Sequence, residues 1–145
     1  MPETYEVRVA TEPDDLKAYY AVRHEVFVVE QKVPAELEYD AHDADAVHVL
    51  ATGPGGGLGA GRLLLGEDGT GILGRLAVTG ASRGLGIGVA LVHAIEVEAR
   101  RHGLSAVELH AQSHAVGFYE RLGYTSFGEE YEEAGIPHLS MRRVL

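Results

Sequence analysis

The chain has 145 residues, with twelve Lys and Arg against twenty-two Asp and Glu for a formal net charge of -10, and it contains no cysteine. That length suits one domain burying roughly two thirds of its unfolded surface in a single core, and residues 1–145 are read as one. The acidity argues against nucleic acid or an anionic membrane as partner and favours a cationic small molecule or basic peptide, while the lack of thiols excludes disulfides, thiolate metal sites and thiol nucleophiles.

Residues 5–10 alternate around Val7 and Val9 and predict a first strand. Thr11 offers an N-cap hydroxyl with Pro13 in the first turn and Asp14 three residues on. Leu16, Tyr19, Tyr20, Arg23, Val26 and Phe27 then recur at three- and four-residue spacing, so a helix is expected through about Val29, with Pro34 beyond its end. Residues 32–46 are acidic and irregular and read as a loop with room for a helical turn. Residues 47–52 and 58–65 form a hairpin about a glycine-rich turn, and residues 72–78 a further strand.

Ile87, Leu91, Ala94, Ile95 and Ala99 mark one face of a second long helix that Gly103 caps, with Glu96 and Arg100 as an i,i+4 pair on its exposed side. A strand at 106–109, a short helix at 115–122 and strands at 124–127 and 138–144 close the chain. This order implies an α/β (α+β) fold: a mixed, mostly antiparallel central sheet flanked by helices. No apolar run approaches the roughly 18 residues of a membrane span and Met1 precedes no basic-then-apolar signal, so a cytoplasmic location is expected.

The segment Leu76-Ala77-Val78-Thr79-Gly80-Ala81-Ser82-Arg83-Gly84-Leu85-Gly86-Ile87-Gly88-Val89 runs from an apolar strand through a loop into a helix start. The first N–H groups of a helix lack internal partners and carry the positive end of its dipole, so glycines there let a phosphate reach bare backbone even on an acidic protein. The dinucleotide pattern fails, because the third glycine position holds Val89, and the phosphate-loop Lys is absent. Isolated glycines at such a turn can also do no more than relieve strain.

Arg83, Gly86 and Gly88 stand in the three defining places of the pyrophosphate motif [Q/R]-x-x-G-x-[G/A], and residues 111–124, ending Tyr119-Glu120-Arg121-Leu122-Gly123-Tyr124, match a second signature. The chain thereby resembles the GNAT superfamily of N-acetyltransferases. Phe27-Val28-Val29-Glu30-Gln31-Lys32-Val33-Pro34 and Gly135-Ile136-Pro137-His138 resemble its small single-domain ElaA-like branch. The resemblance implies a GNAT fold in which acetyl-CoA donates its acetyl group directly to a primary amine. Leu76, Ala77 and Val78 would hold the pantetheine arm and polarise the carbonyl. Arg83, Gly84, Leu85, Gly86, Ile87, Gly88 and Val89 would hold the pyrophosphate, with Gln112 near the cofactor and Tyr119 as general acid.

For the base the alternatives stay open. The position aligned with the glutamate of many members is Val107, and Glu108 beside it faces the other way along an alternating strand. His110 and His138 are candidates, as are Glu36, Glu38 and Asp40, which could instead bind a cationic acceptor or simply form a solvated surface. The group Asp40, His42, Asp43, Asp45 and His48 is read as solvated loop, and no metal is expected. The acceptor is a small molecule or peptide, and a homodimer would suit the family. The rival reading from another class is a non-catalytic acyl-CoA-binding or sensor module.

Overall fold

A computed structural model describes residues 4–145. Seven strands form one sheet: β1 (Glu6–Val9), β2 (Val47–Gly53), β3 (Gly56–Leu65), β4 (Thr70–Val78), β5 (Ala106–Gln112), β6 (Thr125–Glu133) and β7 (Ile136–Val144). They lie in the order β1-β2-β3-β4-β5-β7-β6, and every neighbouring pair is antiparallel except β4 with β5. The expected α/β, mostly antiparallel class is therefore the observed one.

Strand alternation divides the core between the two faces. On one face Val49, Ala51, Leu63, Leu73, Val107, Leu109 and Met141 meet α3 (Ile87–Arg101) through Ile87, Leu91, Val92 and Ile95. Each Val, Leu, Ile and Met side chain among them contributes roughly 1.5–3 kcal/mol by leaving water. A Cβ on Gly59 would sit 2.8 Å from Leu91 Cδ1, and one on Gly61 2.8 Å from Ile95 Cδ1, so glycine lets α3 lie close on β3. On the opposite face Leu50, Ala60 and Ala77 meet Tyr19, Val22 and Val26 from α1 (Pro13–Arg23) and its continuation.

Several expectations change. Glu12, not Thr11, is the N-cap of α1, and no side chain caps it. From His24 to Glu30 the helix widens into a π-helix, closed by Gln31 N–H on Val26 O at 3.0 Å. Glu96 is buried rather than paired with Arg100. It lies four residues after Val92 and three before Ala99, inside the apolar stripe, where it accepts from Tyr124 Oη at 2.8 Å and from Arg143 Nη1 at 3.0 Å. The loop at 32–46 keeps its expected character and contains the helical turn it has room for, α2 (Ala35–Glu38), with a 3-10 turn (Ala41–Ala44) that Asp40 caps. The strand expected at 124–127 starts at Thr125 and runs to Glu133 along the sheet edge, where every residue but Ser126 and Tyr131 is exposed.

Candidate active site

β4 and β5 pair from Thr70↔Ala106 to Leu73↔Leu109 and then part. At the parting the β3–β4 register shifts between Arg62↔Gly74 and Ala60↔Ala77. The extra residue, Arg75, takes φ +54, a left-handed conformation rare for a residue with a side chain. β5 continues to Gln112 against β7 alone, so a gap opens between Leu76–Val78 and the end of β5. Thr79 N–H donates to Leu58 O at 3.0 Å on the β3 side. By strand alternation the N–H groups of Val78 and Leu76 therefore turn toward the gap. Val78 O accepts there from Arg83 Nε at 3.0 Å.

The gap ends at the start of α3. Gly84 (φ +85) and Gly86 (φ +79, the N-cap) are left-handed, and a Cβ built on either meets nothing within 4 Å, so the turn leaves an open cradle before the helix. The first helical closure is Ala90 N–H on Gly86 O at 3.1 Å, which leaves the N–H groups of Ile87, Gly88 and Val89 without helical partners. Leu85 is exposed beside them. Arg83 forks onto Glu30 at 2.7 and 2.8 Å, tying the turn to the end of the π-helix. The Arg83 guanidinium holds the Glu30 carboxyl below its ordinary range.

Tyr119 lies on α4 (Val116–Glu120), packed edge-on to Phe118 and Tyr124 on the α3 face of the sheet. It is 7 % exposed, and burial alone pushes its phenol well above the usual range. Val107, Leu109 and Ala111 fill that same face, so Glu108, His110 and Gln112 lie on the other. There Gln112 Nε2 donates to Gln31 Oε1 at 2.9 Å, His110 Nδ1 contacts Tyr131 Oη, and Glu108 pairs with Arg142. His138, directly opposite Gln112 and 7 % exposed, places Nδ1 2.7 Å from Ile136 O and stacks on Tyr131. A carbonyl only accepts, so Nδ1 carries the hydrogen, and Nε2 lies 3.6 Å from the Glu133 carboxylate. Gln112 Oε1 in turn lies 2.7 Å from His114 Nε2.

The acidic segment is drawn inward. Glu38 is 1 % exposed and is held by Arg23 at 3.0 Å and Arg75 at 3.2 Å. Asp40 is held by Arg62 at 2.8 Å, and Asp43 by Arg23 at 2.7 Å and Arg62 at 2.8 Å. The bond from Arg62 carries the Asp40 carboxyl down to about 2. Glu38 and Asp40 are thus engaged by arginines rather than open to an acceptor, and Glu36 stays exposed. Among the described residues no group of three or more His, Asp and Glu side chains is arranged to hold a metal. Sequence reasoning missed Arg75, Tyr131 and the Glu30–Arg83 link. Only the first left a trace, a glycine, Gly74, inside an apolar strand, which marks a bulge.

A mixed sheet split between its two parallel strands, with a glycine turn and helix start at the mouth of the split, defines the acyl-CoA N-acyltransferase class of fold. A family model described as an acetyltransferase (GNAT) domain matches residues 9–145, and the chain belongs to the GNAT acetyltransferases. An uncharacterized N-acetyltransferase of Bacillus subtilis, YjcF, is 40% identical over 136 residues, covering 93% of this chain and 96% of its own. ElaA of Escherichia coli is 33% identical over 132 residues, covering 88% and 86%. The crystal structure of ElaA superposes with TM-score 0.84 at 30% identity over 97% of this chain and 99% of its own. That of an acyl-CoA N-acyltransferase from Pseudomonas aeruginosa gives 0.85 at 35% identity over 98% and 99%. Among the described residues no helix is long and apolar enough to cross a membrane.

Proposed function

We propose that the protein moves the acetyl group of acetyl-CoA onto a primary amine by direct transfer, with the β4–β5 gap as the acyl-CoA cleft. The observation that carries this reading is the open cradle at Gly84 and Gly86, which leads from the gap to the bare N–H groups at the start of α3. Ile87, Gly88 and Val89 N–H hold the pyrophosphate, and Leu76, Ala77 and Val78 line the pantetheine arm. Bound there, acetyl-CoA supplies the acyl group activated as a thioester.

The reaction forms a C–N bond and breaks the C–S bond. Val78 and Leu76 N–H polarise the carbonyl as negative charge gathers on its oxygen. His138 Nε2 takes the amine proton, directly or through water, and Tyr119 Oη returns a proton to the departing sulfur. Tyr119 belongs to the α3 face and His138 to the other, so acid and base approach the gap from opposite sides of the sheet. Glu36, exposed on the acidic segment, attracts a cationic acceptor, and the cysteine-free chain suits a reducing cytoplasm.

The test is thermal melting with acetyl-CoA or CoA on protein freed of co-purified ligand. Ligand at about a hundred times its dissociation constant should add roughly 2.7 kcal/mol if only the native state binds. No shift with either ligand overturns the cleft assignment. Binding without acetylation across polyamines, aminoglycosides, amino acids and basic peptides would point to an acyl-CoA sensor instead.

A further inference from the structure

Resting on the reading of the β4–β5 gap as the acyl-CoA cleft, we propose that Arg75 is a positioning residue. Its guanidinium, gripped by the acidic segment 35–43, holds β4 in the bulge that keeps the cleft open.

Among the described residues Arg75 is the only non-glycine with positive φ inside a strand other than through a turn; Lys32 and Ala134 flank turns. A residue with a side chain holds such a conformation only where its surroundings impose it. Here the surroundings are specific. Arg75 Nε donates to Glu38 O at 3.1 Å, and Nη2 donates to Leu37 O at 3.2 Å and Asp40 Oδ2 at 3.2 Å. The Glu38 carboxylate, its side chain wholly buried, reaches Arg75 with one oxygen at 3.2 Å and Arg23 with the other at 3.0 Å. Arg23 belongs to α1 and also donates Nη2 to Glu38 O at 2.9 Å.

The second arm of the clamp comes from β3. Arg62 stands directly opposite Gly74, one residue before the bulge, and donates to both Asp40 oxygens at 2.8 and 2.9 Å. Asp40 thus joins two arginines that straddle the register shift, one on each strand. Arg23, Arg62 and Arg75 face Glu38, Asp40 and Asp43, three charges against three, which is a closed set rather than a surplus of acid awaiting a cation.

The bulge lies two residues past Leu73↔Leu109, the last β4–β5 partners. Without the guanidinium the clamp from the acidic segment on the positive φ is lost. β4 can then relax toward regular pairing and close the gap on the pantetheine arm that Leu76, Ala77 and Val78 line. A merely structural ion pair would lower stability and leave the ligand-bound geometry alone.

The experiment compares wild type, Arg75→Gly and Arg75→Lys by calorimetric titration with CoA, with ligand-free melts on the same samples. Glycine accepts the positive φ without strain, so Arg75→Gly should fold, and Arg75→Lys keeps the charge as a second, milder variant. CoA binding should weaken by about tenfold in Arg75→Gly, a loss of about 1.4 kcal/mol. Arg75→Lys should fall between, because one ammonium cannot span two carbonyls and two carboxylates in the guanidinium's fork geometry. In turnover, KM for acetyl-CoA should rise more than kcat falls. Variants that melt earlier yet bind CoA as tightly as wild type overturn the proposal and leave the cleft reading intact. Wild type that binds no CoA overturns the cleft reading, and this proposal with it.

Discussion

Burial pushes the Tyr119 phenol up from its ordinary value, so at neutral pH it keeps its proton and can donate it. Tyr119→Phe removes that donor with little change in packing. It should leave CoA affinity nearly unchanged and lower turnover about 10²- to 10⁴-fold, as loss of a general acid does, measured by thiol release on the best amine. Full turnover in that variant would make Tyr119 a packing residue. Its place was legible from the sequence because Tyr119-Glu120-Arg121-Leu122-Gly123 has the spacing of a helix ending in a glycine cap. The tautomer of His138 was not, because it depends on the chain bringing the Ile136 carbonyl 2.7 Å from the ring.

At the scale of elements, the start of α3 distinguishes two glycines that look alike in the motif. Gly86 has φ +79 and open space before it, whereas Gly88 lies inside the helix with a built Cβ 3.3 Å from Phe118 Cζ, the far end of a ring that can give a few tenths of an ångström. Gly86→Glu places strain, bulk and negative charge in the cradle and should abolish CoA binding in a chain that still folds. Gly88→Ala should bind nearly as wild type, both read by titration calorimetry; equal losses would mean that the cradle is elsewhere. The strand, turn and helix around these residues were readable because periodicity changes there from two to 3.6. The π-helix was not, since its apolar residues Val26 and Phe27 fit an α-helical stripe equally well. Nor was the length of β6, whose charged run Glu129-Glu130-Tyr131-Glu132-Glu133 hides a strand facing solvent.

For the whole molecule, the net charge of -10 overstates what is offered to partners, since Glu38, Asp40 and Asp43 are balanced internally by Arg23, Arg62 and Arg75. Composition cannot show this, because the three arginines come from α1, β3 and β4 and converge only in the fold. The arrangement sets a pH response. The folded Asp40 carboxyl titrates at about 2, below its ordinary value of 3.8, and Asp43 is also lowered. Burial opposes that shift in Asp43, but the bonds from Arg23 and Arg62 outweigh it. Groups depressed on folding contribute stability that is complete above their unfolded values and lost as pH falls through the folded ones. Urea denaturation from pH 7 to 2 should therefore show this loss only below about 4. Asp40→Asn should be less stable at neutral pH and shallower along the acid limb. An unchanged acid limb would mean that Arg62 does not hold Asp40 in solution.

The outer strand β6 breaks register between Phe127 and Tyr131, with Gly128 at φ +75, and presents Glu129, Glu130, Glu132 and Glu133 to solvent. At the opposite border β1 has only four residues. A seven-stranded sheet has two borders whose unpaired N–H and C=O groups could recruit a strand from another molecule. One border here is kinked and ringed with like charge and the other is too short to hold a guest. The protein can therefore keep a partly split sheet at high concentration without seeding fibrils.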